Sequence, residues 1–210
     1  MIALVARHGE TTWNLAGRYQ GRKESALSAL GMRQGLALAE AMARFEPRIE
    51  RIISSPLLRC VATARFSAER LGVPVEIDER LIEIGHGDWE GRLRGEIERD
   101  DPQGWYLWKN DPVAITFSEG DSILKVAERW RAFIAEPLDV PTLIVTHDGT
   151  ARVAVLEAEG RPLDDLWQVA MENAAYARFE TEPGGIWRLA EPLVTAHLAG
   201  LRADVASQAL

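Results

Sequence analysis

Ile2, Ala3, Leu4, Val5 and Ala6 constrain this chain more than any other segment, because the apolar run meets Arg7, His8 and Gly9 without a break. A short apolar run without alternation is the pattern of a strand covered on both faces, the kind found in parallel sheets packed by helices. The charged, glycine-containing turn then lies at the strand's carboxyl end, where open α/β sheets bind their ligands. Two further strands are expected at Ile52–Ser54 and Val75–Ile77, and a fourth at Thr142–Thr146, ending at His147, Asp148 and Gly149.

Helical spacing between the strands supports a layered architecture. Gly31 to Phe45 carries Leu36, Leu38, Ala39, Met42 and Ala43 near the helical period, with Pro47 just beyond. Leu57 to Leu71 follows Pro56 and is ended by Gly72, Val73 and Pro74, and Ala151 to Glu159 reads as a third helix. Ala174 to Glu180 and Gly185 to Ala190 flank a turn at 182–185, the signature of a hairpin. The expectation is a three-layer α/β sandwich: a mostly parallel central sheet, one antiparallel strand and helices on both faces. Residues 92–118, with Trp105, Tyr106 and Trp108 among mixed charges, read as a small helical cap insertion. The tail over 192–210 receives at most a short helix near Ala199 to Ala209. At 210 residues the whole chain, 1–210, is expected to form a single domain with that cap and tail.

Charge narrows the partners. With 24 basic and 32 acidic residues the net charge is -8, which disfavours nucleic acid and anionic membrane across most of the surface. An anion site must therefore be local. No stretch approaches the roughly 18 apolar residues of a spanning helix, the amino terminus is too short for a signal peptide, and the single cysteine, Cys60, fits a reducing compartment. These features predict a soluble, cytoplasmic protein.

Arg7 and His8 after the first strand, Ser55 to Arg59 after the second and His147 after the fourth converge on one crevice. Guanidinium forks match phosphate oxygens, and a neutral imidazole is a competent nucleophile toward phosphorus. Alternatives stand beside this reading. His8, His86, His147, Glu83 and Asp148 are possible metal ligands, although no short ligand spacing such as H-E-x-x-H occurs. Gly85, Gly87 and Gly91 are turn glycines, and Cys60 reads as a packed core residue.

The order of the residues adds a resemblance. Arg7, His8, Gly9, Glu10 and Thr11, with Asn14, Gly17, Arg18, Gln20 and Gly21, closely resemble the first motif of the histidine phosphatase superfamily. Ser54 to Ala64, Leu81 to Gly91 and Thr146 to Gly149 resemble its later motifs. The resemblance implies a metal-independent phosphomonoesterase, a histidine acid-type phosphatase with no cofactor. His8 would be the phosphorylated nucleophile, Arg7, Arg59 and His147 the ligands of the phosphoryl oxygens and Glu83 the proton donor. Asn14, Gln20 and Gly21 would line the pocket. Trp89 is read as a core aromatic, Glu90 as solvent-facing, and Ser54 and Ser55 as helix caps.

The short, charge-mixed segment after the third motif favours hydrolysis over the mutase chemistry of the cofactor-dependent phosphoglycerate mutase branch. His86 in Ile84, Gly85, His86 and His197 in Thr195 to Leu198 are similar to features of metal-independent phosphoserine phosphatases, so both are candidate substrate-binding residues. The substrate is then a small phosphate ester, with phosphoserine or another carboxylated ester as the narrow reading. A catalytically silent phospho-ligand binding module and a homodimer remain open alternatives.

Overall fold

The computed structural model describes residues 1–182, 186–204 and 208. Six strands form one sheet: β1 (Ile2–Arg7), β2 (Arg51–Ser54), β3 (Val75–Ile77), β4 (Thr142–Thr146), β5 (Tyr176–Glu182) and β6 (Ile186–Val194), ordered β3-β2-β4-β1-β5-β6. The pairs β3-β2, β2-β4 and β4-β1 are parallel, while β5 is antiparallel to both β1 and β6, so β5 alone runs against the rest. This is the expected mixed sheet.

Alternate residues of β1 explain the layers. Ala3 and Val5 join a core shared with α6 (Ile123–Ile134) and α7 (Asp148–Glu159), whereas Leu4 and Ala6 join one shared with α2 (Ala29–Ala43) and α3 (Leu58–Leu71). The unbroken apolar run is thus the mark of a central strand that has no solvent face. No element is expected over 120–141 in the sequence, yet α6 lies there, capped by Ser122 and burying Ile123, Val126, Ala127, Trp130 and Phe133 at helical spacing.

A short helix α1 (Thr12–Leu15) follows the first strand turn, and α4 (Arg94–Asp100) and α5 (Pro102–Asn110) form the helical part of the cap segment. In the tail, residues 192–194 continue β6, a 3-10 turn covers Ala196–Leu198, and residues 201–204 have no regular structure. The short helix near 199–209 is not seen among the described residues; 205–207 and 209, like 183–185 of the hairpin turn, lie outside them. No helix among the described residues is long and apolar enough to cross a membrane.

The turn after β1 is pressed against α2. A Cβ on Gly31 would stand 1.9 Å from the Glu10 carbonyl oxygen, a backbone atom that cannot yield locally. Gly31→Ala is therefore expected to cost about 2 kcal/mol by overpacking and to lower Tm by about 6 °C at this chain length, measured by thermal unfolding; an unchanged Tm would mean that α2 can slide away from the turn.

Candidate active site

Parallel pairing brings three strand ends to one edge. Arg7 is in register with Thr146 and Ser54 with Val145, and the pairing continues past the strands through His8 N to Thr146 O at 2.9 Å and Ser55 N to Val145 O at 2.9 Å. Glu83 arrives from the loop after β3, which Thr146 Oγ1 fixes by donating to the Leu81 carbonyl at 2.8 Å. The resulting cavity is lined by Arg7, His8, Asn14, Gln20, Gly21, Arg59, Glu83 and His86, and closed by Trp108, Asp148, Leu166 and Trp167.

His8 has a defined tautomer. Its Nδ1 lies 2.7 Å from the Gly9 carbonyl, which only accepts, so Nδ1 carries the proton and Nε2 the lone pair. Arg59 Nε donates to that Nε2 at 3.2 Å, while its Nη1 and Nη2 donate to the Lys23 and Gly21 carbonyls. Burial, followed by the cations Arg59 and Arg7, holds the His8 imidazolium well below its ordinary range. The ring is neutral at pH 7, as a nucleophile toward phosphorus must be.

Arg7 is fully buried. Its Nη1 donates to the Met171 carbonyl at 3.1 Å and pairs with Asp148 Oδ1 at 3.2 Å, its Nη2 donates to Gln208 Oε1 at 2.8 Å, and its Nε has no partner. An anion entering the pocket would satisfy that orphaned donor. Asp148 also accepts from Arg152 Nε at 2.7 Å; burial works to raise its carboxyl, but Arg152 and Arg7 outweigh burial and hold it below the usual range.

Glu83 is the opposite case. Burial pushes its carboxyl up to about 6, with Asp148 adding to the rise and Arg59 and Arg7 opposing it. Its Oε1 accepts from Ile84 N at 3.0 Å, and a Cβ on Gly149 would come within 2.9 Å of the same oxygen. A carboxyl that exchanges its proton near 6, beside a neutral imidazole and two guanidinium groups, can serve as donor and then acceptor of one proton.

His147 stands edge-on to His8 with ring centroids 5.4 Å apart, fully buried, its Nε2 2.7 Å from Ser55 Oγ. Asn14 Oδ1 accepts from Thr11 N at 3.1 Å and Gln20 Oε1 from Ser25 Oγ at 2.6 Å, so what both side chains offer an anion is NH2. Gly21 has φ 51°, and a Cβ there would meet Glu90 Oε1 at 2.0 Å. Among the described residues no group of three or more His, Cys, Asp and Glu side chains is arranged to hold a metal ion.

The model of the histidine phosphatase superfamily (branch 1) matches residues 3–192 of the chain. The chain belongs to that superfamily. Phosphoserine phosphatase 1 of Hydrogenobacter thermophilus is 32% identical, over 87% of this chain and 88% of the relative. A glucosyl-3-phosphoglycerate phosphatase of Mycolicibacterium vanbaalenii is also 32% identical, over 89% and 91%. Among solved structures, YhfR of Bacillus stearothermophilus superposes with a TM-score of 0.86 at 27% identity, covering 94% of this chain and 98% of the other. With phosphatases as its named relatives, this histidine phosphatase is a phosphoric monoester hydrolase.

Of the substrate-binding candidates in this histidine phosphatase, His86 lines the cavity and His197 does not. His197 is corrected: its Nε2 lies 2.9 Å from the Ala174 carbonyl and its ring stacks on Tyr176 at 5.5 Å, so it anchors the tail to the start of β5. Ser55 is more than a cap, since it bonds His147, and Leu57, at the cap position of α3, makes no side-chain cap bond. Glu90 does not face solvent freely; its Oε1 accepts from Arg22 N and His86 N at 2.9 and 3.0 Å and fixes the loop that carries His86. Trp89 is a core aromatic, as expected. Of the cap aromatics only Trp108 lines the cavity, and Tyr106 is exposed.

Proposed function

We propose that this histidine phosphatase hydrolyses small phosphate monoesters bearing a carboxylate, phosphoserine among them, through a phosphohistidine on His8. The phosphate enters against Arg7 Nε and draws Arg59 Nε away from His8 Nε2. The freed lone pair attacks phosphorus, the ester P–O bond breaks, and the Glu83 carboxyl gives its proton to the departing alkoxide. Water then attacks the phosphohistidine, the P–N bond breaks, and the Glu83 carboxylate takes the water's proton, which leaves inorganic phosphate and the enzyme in its starting state. Arg7, Arg59 and His147 hold the spreading charge of the transferring group, while Asn14, Gln20 and Gly21 border it.

His86 carries the narrower substrate reading. Both its ring nitrogens are buried and without partners, inside a box of Tyr19, Trp108 and Phe117 with ring centroids 4.8–5.4 Å away. Burial, aided by Lys109 and Arg59, pushes its imidazolium down to about 3, so the ring is neutral and has one N–H to give. A substrate carboxylate would satisfy that donor at no cost in a second buried cation. Size agrees with a small ester. The cavity encloses about 440 Å³ including its mouth.

The test is phosphate release, with EDTA present, from phosphoserine, 3-phosphoglycerate, sugar phosphates, nucleotides and p-nitrophenyl phosphate. His86→Ala is expected to lower kcat/KM for phosphoserine about 10-fold or more, the worth of a hydrogen bond to a charged group, while p-nitrophenyl phosphate changes less than about twofold. Equal loss on both esters would remove the carboxylate reading and leave a generalist phosphatase. Interconversion of phosphoglycerates without phosphate release would replace hydrolysis by mutase chemistry.

A further inference from the structure

Gln208 lies 201 residues from Arg7 in the chain and is 4% exposed, yet its side chain reaches the catalytic pocket's inner wall. Its Oε1 accepts from Arg7 Nη2 at 2.8 Å, and its Nε2 donates to Asn173 Oδ1 at 2.7 Å. Asn173, itself 1% exposed, donates from Nδ2 to the His8 carbonyl at 3.3 Å. One amide therefore grips the guanidinium directly and the backbone of the neighbouring histidine through a single intermediary. The match is directional: a carbonyl oxygen meets a cationic donor and the NH2 meets an acceptor, and a flipped amide would set donor against donor.

Leu201 and Arg202, earlier in the tail, are held as well. The Leu201 carbonyl accepts from Gln34 Nε2 at 2.8 Å, and Gln34 Oε1 in turn accepts from Glu10 N at 2.8 Å, while Arg202 pairs with Glu172. These bonds tie the tail to the turn after β1 and to the segment that precedes β5. Arg7 then has two acceptors fixing its plane, from Met171 and Gln208, beside its ion pair with Asp148, and its Nε is left for a ligand.

We propose that Gln208 is a positioning residue for phosphoryl transfer: it holds the Arg7 guanidinium and the His8 backbone where an entering phosphate needs them, so catalytic competence requires the tail to be docked. The proposal rests on the reading of Arg7 as a phosphate ligand. A guanidinium misplaced by a fraction of its hydrogen-bond length loses both binding and rate, because alignment in the transition state is steep in distance.

The experiment compares the wild type with Gln208→Ala and Gln208→Glu by vanadate binding, kcat/KM on p-nitrophenyl phosphate and thermal unfolding. Gln208→Ala is expected to weaken vanadate binding and to lower kcat/KM, each about 10-fold to 100-fold, with Tm lower by about 3–8 °C because Arg7 Nη2 and Asn173 Oδ1 lose a buried partner. Gln208→Glu has the same size but presents a negative charge to Arg7 in competition with the anion and no donor to Asn173. It is expected to lose vanadate affinity too, which a space-filling role would not produce. Both variants within twofold of the wild type on both readouts would overturn the proposal. So would a lowered Tm with unchanged vanadate affinity of the folded protein, since the tail would then serve stability alone. Vanadate binding needs no turnover, so a wild type that binds vanadate but hydrolyses nothing still tests Gln208. A wild type that binds no vanadate removes the reading of Arg7 and the proposal with it.

Discussion

His8→Ala is expected to lower turnover of every ester by about 10⁴-fold or more, the scale seen when a residue of a nucleophilic unit is removed, while vanadate still binds. Arg7 Nε remains unpartnered in that variant, and Arg59 Nε, deprived of His8 Nε2, becomes a second donor without an acceptor. The anion pocket therefore survives the loss of the nucleophile. Incubation of the wild type with labelled substrate, an alkaline quench that preserves phosphohistidine and peptide mapping should place the label on His8. Residual turnover near the wild-type rate, or label on another residue, would sink the covalent route. Binding of phosphate without any labelling or turnover in the wild type would instead point to a silent phospho-ligand module.

Glu83→Gln is expected to reduce kcat/KM for alkyl esters such as phosphoserine by about 10²-fold to 10⁴-fold, the usual contribution of a positioned acid. The loss should be far smaller for the first step on p-nitrophenyl phosphate, which needs no general acid because its phenolate leaves without a proton. The pH dependence follows from the carboxyl's position at about 6. The first step needs the protonated form, so kcat/KM for an alkyl ester falls as pH rises through that value, and Glu83→Gln abolishes this limb. Stability falls over the same range. The folded-state value lies above the ordinary 4.5, so the folded protein holds this proton more tightly than the unfolded chain does. The group favours folding least once pH exceeds about 6, and the charged, buried carboxylate then costs about 2 kcal/mol. Glu83→Gln should accordingly be the more stable protein at pH 8 by denaturant unfolding, and equal stability there would mean that water reaches the carboxylate.

The central part of this design is legible in sequence because it is local. A doubly covered strand has to be apolar at every position, so β1 and β4 stand out, and the residues that follow them fall at one edge by the handedness of parallel crossovers. Arg7, His8 and His147 are thereby found without coordinates, whereas Glu83 as proton donor comes from the family resemblance alone. What escapes notice is non-local or disguised. Ser55, between a strand and Pro56, looks like a helix cap, and only the sheet shows His147 beside it. Leu166 and Trp167 reach the pocket from a 3-10 turn that carries no period, and Gln208 lies beyond residues 201–204, which have no regular structure. His197, singled out because Thr195 to Leu198 is similar to a segment of phosphoserine phosphatases, instead stacks on Tyr176 and lies against the Ala174 carbonyl. α6 was open to detection from its apolar spacing and its Ser122 cap.

On the proposed route through His8, the hydrogen bond from Arg59 Nε to His8 Nε2 would keep the resting enzyme chemically quiet. An uncharged electrophile that reaches the pocket finds the imidazole lone pair already engaged and has nothing with which to release it. An anion brings its own key, because its oxygens compete for the guanidinium and uncover the nitrogen as they bind. Discrimination in favour of negatively charged electrophiles is then exercised by the availability of an electron pair, before any question of fit arises.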